Sequence, residues 1–236
     1  MKPKAVAFDA YGTLFLIETD EQDEKLFEAF SRWLELNEVH VDPQKLATSY
    51  RAEFDKRLKR EVSMGLRYPE ADVRDVMEVI LGSSARRRFV EEACLVFRAL
   101  SIKKFGLRNG VEEVLGRLGR PLALISNAQA AFTWPELRTY GLHRLFDVIV
   151  LSSEVGFKKP DPLIFDVALA RLGLLRERDK VVYVGDTYET DVVGAKRAGM
   201  KAILIGHASA SYQIKPDAYL DPDKFGDLPD VIERLP

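Results

Sequence analysis

The sequence has few of the residues on which disulfide-rich and zinc-binding domains depend. Its 236 residues include a single cysteine, Cys94, which excludes an internal disulfide framework and a cysteine zinc cluster. The three histidines, His40, His143 and His207, have no mutual spacing typical of a metal site. The net charge of −2 gives no overall attraction for nucleic acid. We therefore expect a small molecule, not nucleic acid, as the binding partner.

Long hydrophobic runs are also missing. No apolar stretch approaches the roughly 20 residues that a membrane-spanning helix needs. Residues 1–4 lead directly into an apolar run, without the hydrophobic segment of a signal peptide before it. These absences predict a cytoplasmic protein with no membrane partner, and they leave its oligomeric state open. The length suits one core domain with a smaller insertion.

Residues 17–98 carry helical patterns and no strand pattern. The apolar stripes of four predicted helices are Leu26, Phe30, Trp33 and Leu34; Leu46, Tyr50, Phe54 and Leu58; Val73, Val76, Met77 and Ile80; and Phe89, Ala93, Phe97 and Leu100. Asp42–Pro43 predicts the start of the second helix, and Tyr68–Pro69 the start of the third. Cys94 shares the spacing of the fourth stripe, so we expect it in the core. Together the four stripes predict a small helical bundle inserted into the main fold.

From residue 101 onward, strand and helix patterns alternate. The predicted strands are Leu122–Ile125, Phe146–Leu151, Val181–Val184 and Ala202–Ile205, separated by helices that include Gly110–Leu118 and a short one starting at Pro135. Nearly continuous apolar strands of this kind are typical of a parallel sheet covered on both faces. The run Ala5–Phe8 should join the same sheet. The fold class is therefore predicted to be α/β, with a doubly wound parallel core (residues 1–16 and 99–236) and an inserted helical domain.

Carboxylates follow two of the predicted strands at their C-terminal ends. Asp9 comes directly after Ala5–Phe8, and Asp186 and Asp191 follow Val181–Val184. Open parallel sheets bind their ligands at this edge. Two carboxylates about 4 Å apart repel by about 4 kcal/mol at an effective dielectric of about 20. If the three carboxylates meet, a cation must therefore lie among them, and this indicates an enzyme.

Four segments resemble, in this order, the motifs of the haloacid dehalogenase-like (HAD) hydrolase superfamily. They are Asp9-Ala10-Tyr11-Gly12-Thr13, Ser126-Asn127, Lys159-Pro160 and the segment from Gly185 to Asp191. Each motif alone is weak, but four in order, with a helical insertion after the first, are specific. The resemblance spans nearly the whole chain. It implies a subfamily I member, in which the helical insertion at residues 17–98 is the cap.

The resemblance implies a role for each of these residues. Asp9 would be the nucleophile, which forms a covalent aspartyl intermediate that water then hydrolyses. Lys159 would offset the carboxylates and orient Asp9 as a point charge. The hydroxyl of Ser126, with help from Asn127, would hold a phosphoryl or carboxylate oxygen of the substrate. Without the resemblance, each of these side chains could equally serve a turn or a solvated surface.

A magnesium site is also implied. Mg²⁺ takes hard oxygen ligands, usually one or two carboxylates together with water and substrate. By the resemblance, Asp9, the backbone carbonyl of Tyr11 and Asp186 would ligate the ion, and Asp191 would act mainly through them. Asp186 and Asp191 could instead cap the helix that follows.

Tyr11 conflicts with this interpretation. Phosphatases of the superfamily usually carry a second aspartate at that position, as general acid and base. A tyrosine there resembles the L-2-haloacid dehalogenases, which need no metal because the halide leaves without a proton. Those enzymes hold the substrate with a cap arginine, and Arg51 is the candidate here. Tyr11 could also supply a proton itself, although its ordinary pKa of about 10 makes it a slow donor.

The spacing of Gly185, Asp186 and Asp191 resembles the metal-binding phosphatases instead. Loss of a general acid typically costs about a hundredfold to ten-thousandfold in rate. Loss of the metal would leave several carboxylates without compensation. We therefore favour a Mg²⁺-dependent phosphatase of a small phosphorylated metabolite. A metal-independent 2-haloacid dehalogenase and a non-catalytic ligand-binding protein are the alternatives.

Overall fold

Six parallel strands form the central sheet of the computed structural model, which describes residues 2–82 and 85–235. The strands in chain order are β1 (Ala5–Phe8), β2 (Phe15–Thr19), β3 (Ile102–Leu107), β4 (Leu122–Ser126), β5 (Val148–Leu151), β6 (Val181–Gly185), β7 (Lys201–Ile205) and β8 (Ala218–Leu220). The sheet order is β5-β4-β1-β6-β7-β8, and each neighbouring pair is parallel. The predicted α/β core is confirmed. The edge strand β8 was missed because its short sequence has no clear pattern.

Helices cover both faces of this sheet. In chain order, the helices of the described residues are α1 (Glu24–Leu36), α2 (Pro43–Ser63), α3 (Val73–Leu81) and α4 (Arg87–Ser101) in the insertion, and α5 (Val111–Arg117), α6 (Ala130–Thr139), α7 (Ser152–Val155), α8 (Pro162–Arg171), α9 (Val193–Arg197) and α10 (Leu228–Glu233) in the core. Alternate residues of β1 point to opposite faces. Val6 and Phe8 pack with α5 and α10, whereas Ala5 and Ala7 pack with α8 and α9. Across the described ranges, no helix is both long and apolar enough to traverse a bilayer.

Helices α1–α4 pack around a separate apolar cluster, to which Phe132 of α6 also contributes. Phe27, Phe30, Met77, Cys94 and Phe97 are buried there. Strands β2 and β3 form an antiparallel pair that connects this bundle to the core on either side. The pair was not predicted, since neither strand carries a strong alternating pattern. Residues 17–98 remain our proposed limits for the cap.

The predicted start of the third helix at Tyr68–Pro69 is wrong. Helix α3 begins at Val73, because the side chain of Asp72 accepts a hydrogen bond from the backbone N–H of Arg74 at 2.8 Å. The carbonyl of Tyr68 instead accepts a hydrogen bond from a backbone N–H of the core. Proline in a first helical turn is a common signal, but here an acidic N-cap three residues later decides where the helix begins.

The predicted helix start at Pro135 is also wrong. Helix α6 begins at Ala130, and Pro135 lies inside it. Its first turn is closed by the carbonyl of Gln129, which accepts from the backbone N–H of Thr133 at 2.9 Å. Proline provides no N–H and therefore leaves one helical hydrogen bond unmade. Packing of the buried residues of α6 against the rest of the protein outweighs that loss.

Candidate active site

Asp9 lies at the carboxyl end of β1, between the ends of β4 and β6. Its backbone N–H donates to the carbonyl of Val184 at 3.0 Å, which fixes the start of the loop. Asp9 is only 8% exposed, its carboxylate accepts a hydrogen bond from Nζ of Lys159, and the neighbouring hydroxyl of Ser126 helps to lower its pKa. The sheet thus brings together three residues that the sequence places far apart. Asp9, Ser126 and Lys159 form one site at the predicted edge.

Lys159 is buried, and its ammonium group is fully engaged. Nζ lies 2.7 Å from Oδ1 of Asp9, 2.7 Å from Oδ1 of Asp191 and 2.8 Å from the hydroxyl of Tyr183. Tyr183 in turn donates to the carbonyl of Ile125 at 2.8 Å. Burial alone would lower the pKa of Lys159, but Asp191 and Asp9 outweigh it and raise that pKa. The two carboxylates therefore favour the charged form of Lys159. The contact of Tyr183 with Lys159 was not predicted, because the sequence around Tyr183 is that of an ordinary buried strand.

Asn127 holds the backbone of Lys159 on both sides. Its Oδ1 accepts from the Lys159 N–H at 2.7 Å, and its Nδ2 donates to the Lys159 carbonyl at 3.0 Å. The amide group is therefore committed to positioning the lysine, whose peptide bond to Pro160 is cis. A direct contact of Asn127 with substrate remains a prediction.

The three predicted acidic residues meet. Asp9, Asp186 and Asp191 each offer a carboxylate oxygen, and these oxygens all lie within 4.8 Å of one another. Thr13 donates its hydroxyl to Asp186 at 3.2 Å, and the backbone N–H of Thr187 donates to Asp191 at 2.9 Å. Asp191 thus serves both the turn after β6 and Lys159. The helix-capping alternative therefore accounts for part of the role of Asp191.

The electrostatics of this cluster call for a further cation. Lys159 compensates one negative charge among three carboxylates. Burial raises the pKa of Asp9 to about 6, and burial also raises the pKa of Asp186. A divalent ion that prefers oxygen ligands would offset the repulsion among these carboxylates. Mg²⁺ is such an ion, since it usually binds one or two carboxylates together with water and substrate. Asp9, Asp186 and Asp191 therefore fit a metal site.

Arg108 anchors the loop that follows Asp9. Its Nε donates to the carbonyl of Thr13 at 2.8 Å, and its guanidinium also donates to the carbonyls of Gly12 and Pro222. The arginine thus holds two consecutive carbonyls of the loop after β1 from the end of β3. Arg108 was not predicted, because a single arginine after an unpredicted strand carries no pattern.

The side chain of Tyr11 points to α6. Its hydroxyl donates to the carboxylate of Glu136 and lies 2.8 Å from Oγ1 of Thr133. Arg98 of α4 completes the group, with Nε 2.7 Å from Oε1 of Glu136. Burial raises the pKa of Tyr11, and the neighbouring Glu136 raises it further. Within the described residues, no hydrogen bond links the hydroxyl to Asp9, so the phenol is a neutral group bound elsewhere.

Arg98, and not Arg51, is the arginine of the helical insertion that lies beside Tyr11. Both Arg98 and Tyr11 line a cavity of about 270 Å³ between the insertion and the core. Arg51 is exposed on α2, where it reaches the carbonyl of Gln22 at 3.4 Å and lies over the ring of Phe27. It lines a separate cavity of about 650 Å³. The structure thus does not bring Arg51 to Asp9, because its helix turns that face outward.

Comparison with known proteins agrees with this architecture. The model of the haloacid dehalogenase-like hydrolase family matches residues 3–199, and the chain belongs to that family. A glyceraldehyde 3-phosphate phosphatase from Methanothermobacter thermautotrophicus is 45% identical over 87 residues, which is 37% of this chain and 38% of the relative. A phosphoserine phosphatase from Thermus thermophilus is 31% identical over 169 residues, 70% of this chain and 64% of the relative. The matches thus span less than two thirds of these relatives.

Solved structures include both kinds of enzyme that the motifs resemble. A 2-haloacid dehalogenase from Pseudomonas syringae has a TM-score of 0.67 and 25% identity, over 98% of this chain and 99% of that one. A HAD phosphatase from Thermococcus onnurineus has a TM-score of 0.62 and 22% identity, over 98% of each chain. The second likeness shows the fold alone.

Proposed function

We propose that this chain is a Mg²⁺-dependent phosphatase that passes the phosphoryl group of a small metabolite to Asp9 and then to water. One observation carries the proposal: three carboxylates share a site with a single ammonium group, and their oxygens lie within 4.8 Å of one another. The relatives named as phosphatases support the same chemistry. A dehalogenase has no need of this excess negative charge.

Asp9 and Asp186 would hold the ion, together with the backbone carbonyl of Tyr11. Asp191 would position the metal ligands indirectly, because it accepts hydrogen bonds from Lys159 and from the backbone N–H of Thr187. When bound, Mg²⁺ would neutralise charge on the phosphoryl oxygens and orient them for attack.

The residues of the chain supply the rest of the reaction. A carboxylate oxygen of Asp9 attacks phosphorus, and water later hydrolyses the aspartyl phosphate. Lys159 keeps Asp9 oriented and favours its ionised form. The hydroxyl of Ser126, buried beside Asp9, is available to a phosphoryl oxygen once substrate binds. The cap would close over the site and exclude bulk water. A cytoplasmic location belongs to the same proposal.

The test is a screen of phosphate compounds with and without Mg²⁺. We expect activity that needs Mg²⁺, is abolished by EDTA and is restored by added Mg²⁺. Asp186→Asn should weaken Mg²⁺ activation, whereas Asp179→Asn, at an exposed position at the opposite end of β6, should not. Equal rates in EDTA would rule out the metal-dependent reaction.

Metal-independent 2-haloacid dehalogenation is the second candidate. Tyr11 favours it, and so does the dehalogenase structure at 25% identity. Chloride release from 2-chloropropionate in the presence of EDTA would establish it. A third candidate is a ligand-binding protein without turnover. A robust activity that disappears in Asp9→Asn would exclude this third candidate.

A further inference from the structure

The hydroxyl of Tyr11 is not free to donate a proton to a leaving group. It donates to the carboxylate of Glu136, and Arg98 pairs with the same carboxylate at 2.7 Å. Glu136 and Arg98 are both buried, 7% and 9% exposed, so solvent does not compete for these contacts. A phenol that donated elsewhere would leave a buried carboxylate short of a hydrogen bond, which is costly. Tyr11, two residues after Asp9, therefore has a structural role and is not the proton donor.

The other carboxylic acids that line the cavity beside Tyr11 accept hydrogen bonds. Among its described lining residues these acids are Glu21 and Glu70. Glu70 accepts from Ser152 at 2.8 Å through one oxygen and from the backbone N–H of Ala71 at 3.2 Å through the other. Glu21 accepts from the hydroxyl of Tyr50 at 3.4 Å. Glu70 is thus committed as an acceptor through both oxygens, and Glu21 through one, so Glu21 is the acid that the experiment must test.

We propose that the site takes phosphoric anhydrides, above all acyl phosphates, in preference to phosphate esters of alcohols. This inference rests on the phosphatase function proposed above. The leaving group of an acyl phosphate is a carboxylate, the conjugate base of an acid with a pKa of about 4. An alcohol leaves as an alkoxide nearly as basic as hydroxide, whose conjugate acid has a pKa of about 16. Only the first departs readily without a proton from the protein.

The reaction balances without a general acid. An oxygen of Asp9 attacks phosphorus, the bond from phosphorus to the acyl oxygen breaks, and the electron pair leaves with that oxygen as a carboxylate. A water oxygen then attacks phosphorus, and the bond to Asp9 breaks to restore its carboxylate. One proton of the water stays on the phosphate product, and the other passes to solvent.

The experiment compares kcat/KM with Mg²⁺ for acetyl phosphate, 4-nitrophenyl phosphate, phenyl phosphate and ethyl phosphate. This parameter reports the step that expels the leaving group and excludes the later hydrolysis of the aspartyl phosphate. Without a general acid, acetyl phosphate should exceed ethyl phosphate by more than about 10⁴-fold, since such an acid contributes about 10²–10⁴-fold. The three esters should fall in the order of their leaving-group basicity.

Variants locate any proton donor. In Tyr11→Phe and Glu21→Gln, the ratio of kcat/KM for acetyl phosphate to that for ethyl phosphate should stay at the wild-type value. Glu21 is included because burial raises its pKa. Tyr11→Asp, made together with Glu136→Gln so that two carboxylates do not face each other, should reduce the ratio by about 10²–10⁴-fold. If that double variant does not fold, the two single variants still decide the question.

Each outcome is informative. A flat dependence on the leaving group in the wild type would overturn the inference and leave the phosphatase function standing. A larger ratio in Tyr11→Phe or Glu21→Gln would also overturn it, because that residue would then be the acid. Absence of Mg²⁺-dependent turnover of every compound, acetyl phosphate included, would overturn the phosphatase function itself.

Discussion

A Cβ atom at Gly12 would lie only 2.1 Å from Oδ2 of Asp186. The loop after β1 and the loop after β6 therefore meet at a position that only glycine can occupy. Gly12 also has a φ of +80°, which glycine adopts without strain. The next residue, Thr13, donates to Oδ1 of Asp186 at 3.2 Å. Two consecutive residues of the loop after β1 thus place the carboxylate that we propose as a magnesium ligand.

Gly12→Ala should therefore abolish Mg²⁺ activation. The added methyl group must displace Asp186, and we expect Mg²⁺-dependent kcat/KM to fall by at least about 10²-fold, as small misplacements in active sites do. Gly110→Ala is the matched control, because Gly110 has a φ of +84° but nothing within 4 Å of its added Cβ. It should lower the melting temperature and leave Mg²⁺ affinity intact. Equal Mg²⁺ affinity in both variants, measured by calorimetry, would contradict this account.

Lys159→Met should destabilise the protein in a pH-dependent way. Removal of the ammonium leaves Asp9 and Asp191 buried without their partner, at a cost of about 3–5 kcal/mol at pH 8. The folded variant should bind protons more tightly than the unfolded chain, so its deficit should shrink as the pH falls towards 5. Urea unfolding at both pH values measures the difference. Lys158→Met serves as the neighbouring control, and an equal loss there would speak against the buried pair.

Arg108 should be essential for the geometry of the loop after β1. Arg108→Gln removes the donors that hold the carbonyls of Gly12 and Thr13, so kcat/KM should fall by about 10²-fold. Arg108→Lys, which can satisfy part of this set, should have an intermediate rate. Arg117→Gln, on the exposed face of α5, should resemble the wild type. A rate for Arg108→Gln close to that of Arg117→Gln would show that the loop keeps its shape unaided.

Glu177 should stabilise the protein only above acidic pH. Hydrogen bonds from Lys180 and Lys4 lower its pKa from 4.5 to about 2. A lowered pKa means that the contribution is full above the unfolded value and is lost as the pH falls from 4.5 towards 2. The melting temperature of Glu177→Gln should therefore lie slightly below that of the wild type at pH 7, and the two should converge only below about pH 2, the folded pKa. The effect should be small and salt-sensitive, because the pair is exposed.

Glu112→Gln, at an exposed position of α5, is the control for this measurement. The difference in melting temperature between Glu112→Gln and the wild type should not change with pH in the way expected for Glu177→Gln. A difference for Glu177→Gln that does not shrink at all between pH 5 and pH 2 would assign the effect to packing.

The acidic cluster could be foreseen from sequence because parallel strands end at one edge. Asp9 follows β1 and Asp186 follows β6, and the sheet pairs these strands directly. The helical stripes of the insertion were equally readable, since each depends on residues one or two turns apart. The residues at which the helices begin were harder to predict. At Pro135, the preference of proline for the first turn of a helix was outweighed by packing that involves residues distant in sequence.

Periodicity and motif order by themselves determined the α/β class, the inserted helices and the identity of the acidic and basic residues of the site. Only the tertiary structure decided what those residues touch. Tyr11 shows why: its partner Glu136 lies 125 positions away, and Arg98 approaches from a different helix. A hydroxyl can donate to any acceptor within hydrogen-bond distance, and the packing of distant parts of the chain decides which acceptors lie that close. The sequence therefore left the role of Tyr11 open, and the fold turned its hydroxyl towards α6.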